Sequence, residues 1–152
     1  MRRCIKCKVE LKPGKTTEII TVGDRRLTLT LPAKHCPKCE ETYVAGSDAE
    51  RADLYVAASL LDLGIATGMA FRFMRKAIGL RAIDLAPLLA VDVATISRWE
   101  TDKSPVDRCA LATLAAIASE KFRGCNETLG RLHGLADGRH PTGKLALELK
   151  AS

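Results

Sequence analysis

Apolar residues change their spacing part-way along this chain. Over 16–22 and 26–31 they read as two strands, the second with the period of two that marks a half-buried strand. Ile19, Ile20 and Val22 fall in the first segment, and Leu27, Leu29 and Leu31 alternate in the second. Gly23-Asp24 between them supplies turn chemistry, so the pattern predicts a β-hairpin. From Ser47 onward the spacing becomes helical. Ser47-Asp48-Ala49-Glu50 reads as a capping box opening a helix to about residue 63, with Gly64 as its stop. Its apolar stripe is Leu54, Ala57, Ala58, Leu61 and Ile65. A second helix over 68–78 turns Phe71, Met74 and Ile78 inward and leaves Arg72, Arg75 and Lys76 outward or lying along the surface.

The stretch from Leu80 to Glu100 reads as two short helices with a tight turn. Leu85, Ala86, Leu88 and Leu89 line the first, and Asp92 is a good N-cap for the second. In the second, Val93, Ile96 and Trp99 are expected inward, and Ala94, Thr95, Ser97 and Arg98 outward. A further helix over 107–121 has Leu111, Leu114 and Ile117 as its core face, with Cys109 expected as a small buried apolar residue. A last helix from Asn126 carries Leu129, Leu132 and Leu135. Residues 136–152 read as a tail or a partner-binding segment, and Cys125 has no assigned role.

Ahead of this helical region stand two close cysteine pairs, Cys4-x-x-Cys7 and Cys36-x-x-Cys39, separated by 28 residues. Each pair can offer two sulfurs from one tight turn, and two such knuckles complete a tetrahedral site. The expected cofactor is one structural Zn²⁺ per chain, on Cys4, Cys7, Cys36 and Cys39. Rubredoxin-type iron is chemically possible. A redox disulfide lacks the βαβ setting it needs, and structural disulfides do not suit a reducing cytoplasm. His35 beside Cys36 reads as a surface or supporting histidine, because four thiolates already satisfy the ion. A closed site with no open position is not catalytic. A unit of about 45 residues cannot bury enough apolar surface alone, so it is expected to be unfolded without metal. Arg2, Arg3, Lys6, Lys8, Lys34 and Lys38 crowd the knuckles, as a contact for an acidic partner, as support for an anionic metal site, or as a solvated face.

The expected fold class is therefore α+β. A small β-rich Cys4 zinc-binding unit (1–46) leads through a linking helix (47–66) to an all-α DNA-binding unit (67–135) and a tail (136–152). Hydrophobic content is 47% but aromatic content only 4%, so the core must be aliphatic. There is no apolar run long enough to span a membrane, and no leader-like start, which points to a cytoplasmic protein. The formal charge of +6 suits a polyanion partner. Four thiolates and one Zn²⁺ sum to −2, which would lower it to about +4.

Arg75, Gly79, Leu80, Leu85, Ala86, Leu89, Val91, Thr95, Ile96, Ser97, Arg98, Trp99 and Glu100 resemble the phage repressor and Cro type of helix-turn-helix over roughly a third of the chain. That resemblance implies that the second short helix enters the major groove, and that Arg75 pairs with Glu100. The chain departs from it at Arg81, where the family has a capping Ser or Thr, at Ala82, where it has a phosphate-holding Gln, and at Ala90, where it has the turn Gly.

The order of the two units, the Cys36 to Glu41 run, and Val93-x-x-Ile96-Ser97-Arg98-Trp99-Glu100 resemble the MqsA (YgiT-type) antitoxin family over most of residues 1–121. The resemblance implies a bacterial, cytoplasmic antitoxin whose zinc unit neutralises an RNA-cleaving toxin. It also implies a homodimer that represses its own operon at a palindromic double-stranded DNA operator. Arg98 matches a base-contacting arginine of that family. Ala94 stands where the family has a base-reading asparagine, and Thr95 and Ser97 can add a thymine-methyl or phosphate contact. Arg72, Arg81, Ser97 and Lys103 are the phosphate candidates. Two other classes are weighed beside this one: a zinc-containing regulator with no toxin partner, and an enzyme. No nucleophile–base order, paired carboxylates or open metal site favours the last.

Overall fold

The computed structural model describes residues 2–138, so all but the start of the expected tail lies outside the described residues. Among the described residues the fold is α+β, with a three-stranded antiparallel sheet and six helices. Strands β1 (Lys12–Val22) and β2 (Arg25–His35) pair along their whole length, from Val22 opposite Arg25 to Lys12 opposite His35. They outrun the alternating segments in the sequence because their far ends are Lys, Pro, Gly and Ala, which carry no alternation signal. Gly23, the first of the two turn residues, has φ +62°, the left-handed conformation that such tight hairpins favour for glycine. Strand β3 (Thr42–Tyr43) joins β2 only at Lys34 and His35.

The register puts Ile20 and Val22 on the same face as Leu27, Leu29 and Leu31. This face packs on the helices, whereas Ile19, on the other face, is 57% exposed. The helices are α1 (Gly46–Ser59), α2 (Gly68–Ala77), α3 (Ala82–Leu88), α4 (Val93–Glu100), α5 (Arg108–Phe122) and α6 (Glu127–Ala136). They enclose the main core around Phe71, Met74, Ile78, Leu85, Ile96, Leu114 and Ile117, all essentially sealed from solvent. A second, smaller core holds Cys4, Leu11 and Cys36, with Cys7, Val9 and Tyr43 against it. The hairpin reaches both cores.

Several local expectations are corrected. Helix α1 starts from Ala45 with no side-chain cap, so the Ser47 capping box does not form. Ser47 already lies inside the first turn, past the position from which a hydroxyl caps. Of the stripe expected for this helix, Ala57 and Ile65 are buried, whereas Leu54, Ala58 and Leu61 are only partly so; Ala52, Val56 and Leu60 seal the rest of the face, which lies along α5 and α2. Arg75 is buried, not outward. Val93, the first residue of α4, is 43% exposed, and burial begins at Ile96. Cys109 is exposed, one step round the helix from the stripe of Ala110, Leu111, Leu114 and Ile117. Burial fades along α6, from Leu129 (6% exposed) to Leu135 (79%).

Four helices end in the same way, with a residue of positive φ just past the cap and paired 5→2 and 6→1 backbone bonds. Glycine fills that place after α2 and α5, at Gly79 and Gly124. After α3 it is Ala90 (φ +53°), with Ala90 N–H on the Pro87 carbonyl and Val91 N–H on the Ala86 carbonyl. After α4 it is Asp102 (φ +53°). Alanine has neither glycine's freedom nor an aspartate side chain to offset the strain. Ala90→Gly is therefore expected to raise stability by up to ~1 kcal/mol, the relief of strain outweighing the looser unfolded chain. An urea midpoint that moves down instead would contradict this.

A candidate metal centre and an exposed helical face

The two cysteine pairs sit on turns built alike. In the first, Cys4 N–H donates to the Val9 carbonyl and Lys8 N–H to the Cys4 carbonyl, with Lys8 at φ +60°. In the second, Cys36 N–H donates to the Glu41 carbonyl and Glu40 N–H to the Cys36 carbonyl, with Glu40 at φ +59°. Each turn also aims a backbone N–H at its leading sulfur, from Cys7 to Cys4 Sγ and from Lys38 to Cys36 Sγ, both at 3.4 Å. The hairpin brings the turns together: β1 follows the first, and β2 and β3 flank the second.

All four Sγ atoms lie within 4.8 Å of one another. With metal–sulfur bonds of about 2.3 Å, a tetrahedral ion separates its sulfurs by about 3.8 Å. Cys4 Sγ and Cys39 Sγ are 3.7 Å apart. The set is chemically uniform, closed and close enough to hold one metal ion. Cys4 and Cys36 are buried, Cys7 half-buried and Cys39 exposed, so the cluster has an inner and an outer side.

Tyr43 was not singled out by the sequence. Its hydroxyl lies 3.2 Å from Cys4 Sγ. Donation from Tyr43, helped by the Cys7 N–H, lowers the Cys4 thiol to about 6. Cys7 is pushed up to about 12, first by its hydrogen bond to Cys39 and then by burial. Cys7 thus keeps its proton at neutral pH while Cys4 gives its own up, and a cation that binds both must displace the proton on Cys7. His35 stays out of the cluster: its Nδ1 lies 2.9 Å from Thr42 Oγ1 and its Nε2 3.1 Å from the Lys15 carbonyl. Its ring covers Gly14, where a Cβ would come within 2.5 Å of it. Of the basic residues around the knuckles, Lys6 is bound to Glu41 at 2.6 Å.

The second candidate region is the outer face of α4. Asp92 caps the helix by accepting from Thr95 N–H, and this bond first of all holds its carboxyl below the usual range. Ile96 and Trp99 are buried, and Trp99 meets Phe71 edge-on at 5.4 Å. Ala94, Ser97 and Arg98 are exposed and Thr95 is half-buried. Arg98 folds along its own helix, with Nη2 donating to Thr95 Oγ1 at 2.7 Å and standing 3.8 Å from Asp92.

Arg75 and Glu100 form a two-pronged pair between α2 and the end of α4. Nε donates to Oε1 at 2.5 Å and Nη2 to Oε2 at 3.0 Å, while Nη1 donates to the Leu80 carbonyl at 2.7 Å. Arg72 stands 3.9 Å from the same carboxylate. Arg81, at the start of α3, is engaged by Asp84 through two bonds of 2.7 and 2.8 Å. Lys103 follows α4 at the surface, where its N–H donates to the Arg98 carbonyl.

Gly68 is a further contributor that periodicity does not reveal. A Cβ there would lie 1.9 Å from the Trp99 carbonyl oxygen, so only glycine lets α2 start this close to the end of α4. Its N–H donates to Asp102 Oδ1 at 2.9 Å. Gly68 is thus a close packing contact.

No family model matches the chain, and no curated protein matches it. Among the described residues no helix is long and apolar enough to cross a membrane.

Two outcomes follow from this geometry. The distal half of the hairpin packs on the main core, which narrows the metal dependence to the knuckle end. When bound metal is chelated, amides of residues 2–11 and 36–43 should lose hydrogen-exchange protection first, while residues 20–27 keep theirs. Simultaneous loss across both would refute it. Glu100→Ala strands the buried Arg75 charge, so it should destabilise the fold by about 3–5 kcal/mol in denaturant titration.

Proposed function

We propose that the protein is a zinc-stabilised, sequence-specific DNA-binding repressor acting as a homodimer, and the antitoxin of an RNA-cleaving toxin. The observation that carries the DNA reading is the strip of Ala94, Thr95, Ser97 and Arg98 on a helix held from behind by Ile96, Trp99 and Glu100. Helix α3, the turn around Ala90 and helix α4 then act as a helix-turn-helix, with α4 as the recognition helix. A short helix with a small, flat outer face and one long cationic side chain suits the major groove.

On this reading Arg98 leaves Thr95 and makes a bidentate contact to guanine O6 and N7, worth about 1–3 kcal/mol of discrimination. Arg98 is itself exposed, as is Asp92, so it leaves its present partners at little cost. Ala94 and Thr95 meet thymine methyl groups. Arg72, Arg81, Ser97 and Lys103 hold phosphates, which fixes position without reading sequence. One such module reads few base pairs, so two copies on a two-fold site supply the rest.

The four-sulfur cluster supports Zn²⁺ as the ion, because a closed thiolate set asks for a metal with no redox or open-site requirement. The pairing of that cluster with the α3–α4 unit supports the antitoxin role, in which the knuckle end faces the toxin. Pull-down from the native host with mass spectrometry, together with selection of bound DNA from a random pool, tests both halves. A palindrome should emerge from the pool, and a small RNA-cleaving protein from the pull-down. Arg98→Ala should leave the fold intact and abolish preference for that palindrome in gel shifts. Retained preference would remove Arg98 from base reading.

A further inference from the structure

The hairpin turn lies against α2. Val22 belongs to the main core, and a Cβ on Gly23 would come within 3.3 Å of Met69 Cβ. A shallow cleft at this junction is walled by Thr21 and Gly23 on one side and by Met69, Arg72 and Lys76 on the other. The first two residues after the turn are Arg25 and Arg26, both exposed. The register puts Arg25 on the face of the sheet that carries Val22, toward α2, and Arg26 on the opposite face. Arg72 and Lys76 thus line the cleft, and Arg25 and Arg26 follow within three residues of its Gly23 wall.

Few acids answer these four cations. Arg25 stands 3.7 Å from Asp24, and both side chains are mostly in solvent. Arg72 is 3.9 Å from Glu100, whose two oxygens already accept from Arg75. Among the described residues Arg26 and Lys76 have no ion-pair partner. Gathered like charges repel one another unless a polyanion covers them, and they raise its local concentration. The cluster starts beside Glu100, where α4 ends, so it continues from the helix assigned above to the major groove.

We propose that the hairpin tip is a second contact to the DNA backbone, with Arg25 and Arg26 meeting phosphates alongside Arg72 and Lys76. The inference rests on the DNA-binding reading and extends it to the sheet. Phosphate contacts of this kind carry no sequence information, and they release counterions on binding. The tip is fixed to α2 through Val22 and Gly23, so it reaches the duplex at a set distance from α4.

The test compares the full chain with its Arg25→Gln/Arg26→Gln variant. The probes are the palindrome recovered by selection and a mixed-sequence duplex of about 30 base pairs, each titrated over a salt series. The variant should bind both duplexes about tenfold more weakly at low salt, and its log–log salt slope should be shallower by about 1–2. The ratio of its affinities for the two duplexes should not change, and Arg25→Lys/Arg26→Lys should restore binding. The lysine variant also keeps the test readable if the glutamine variant folds poorly. Unchanged affinity and slope, with Arg98→Ala still erasing preference, would overturn the tip contact and leave the DNA reading standing. A wild-type chain that binds neither duplex would overturn both.

Discussion

A guanidinium and a carboxylate, each only 11% exposed, hold the helical part of this protein in register. A buried ion pair is a poor source of net stability, since desolvation consumes most of its attraction. It is a strong source of geometry, because either partner left alone is intolerable. Arg75 uses Nε and Nη2 on Glu100 and Nη1 on the Leu80 carbonyl. One side chain thereby ties α2, the entry to α3 and the end of α4. Gly68 brings the start of α2 onto the Trp99 carbonyl from the other direction. Between these two contacts α4 cannot roll, so Ile96 and Trp99 stay inside while Thr95 and Arg98 stay out.

The hairpin extends that constraint toward the cysteines. Eleven residues of strand span about 35 Å, which is enough to put one end in each core. At one end Val22 packs among the helices; at the other Cys36 follows directly on β2. The cysteine turns are therefore not carried on a free linker. They are built onto a sheet whose other end is part of the helical core. Tyr43 sits at the near end of this path, with one face in the small core and its hydroxyl on Cys4.

How much of this could be read in the residues depends on the range of the signal. The four cysteines were legible because metal geometry constrains spacing within each pair, and the alternating leucines between them imply a hairpin that can return the chain. Phe71, Met74, Leu85, Ile96 and Trp99 were legible because helical periodicity marks a face over two or three turns. What the face packs against is not local information. The contact of the hairpin with α2 joins residues far apart in sequence, and Gly23 and Met69 give no hint of it. Gly68 looks like any glycine near a helix start, and its role shows only when the Trp99 carbonyl arrives. Cys109 was misjudged for a related reason: an apolar residue on a helix is buried only where a neighbour reaches it. Helix α6 loses its neighbours toward its end, and Cys109 lies beside the packed stripe of α5, not on it.

The pairing register of the sheet has one more consequence. Counting outward from the two-residue turn, ladder-bonded pairs alternate with pairs whose amides point away from each other. Pro13, opposite Lys34, and Pro32, opposite Lys15, both fall in pairs of the second kind. Each imide ring therefore removes a donor from an outer margin of the sheet and none from the ladder inside it. Strand β3 covers only the last two residues of β2, so those margins are long and open. Proline at these places, with Lys12, Lys15 and Lys34 close by, guards against sheet-to-sheet stacking with other chains, so the protein can keep a bare hairpin without polymerising through it.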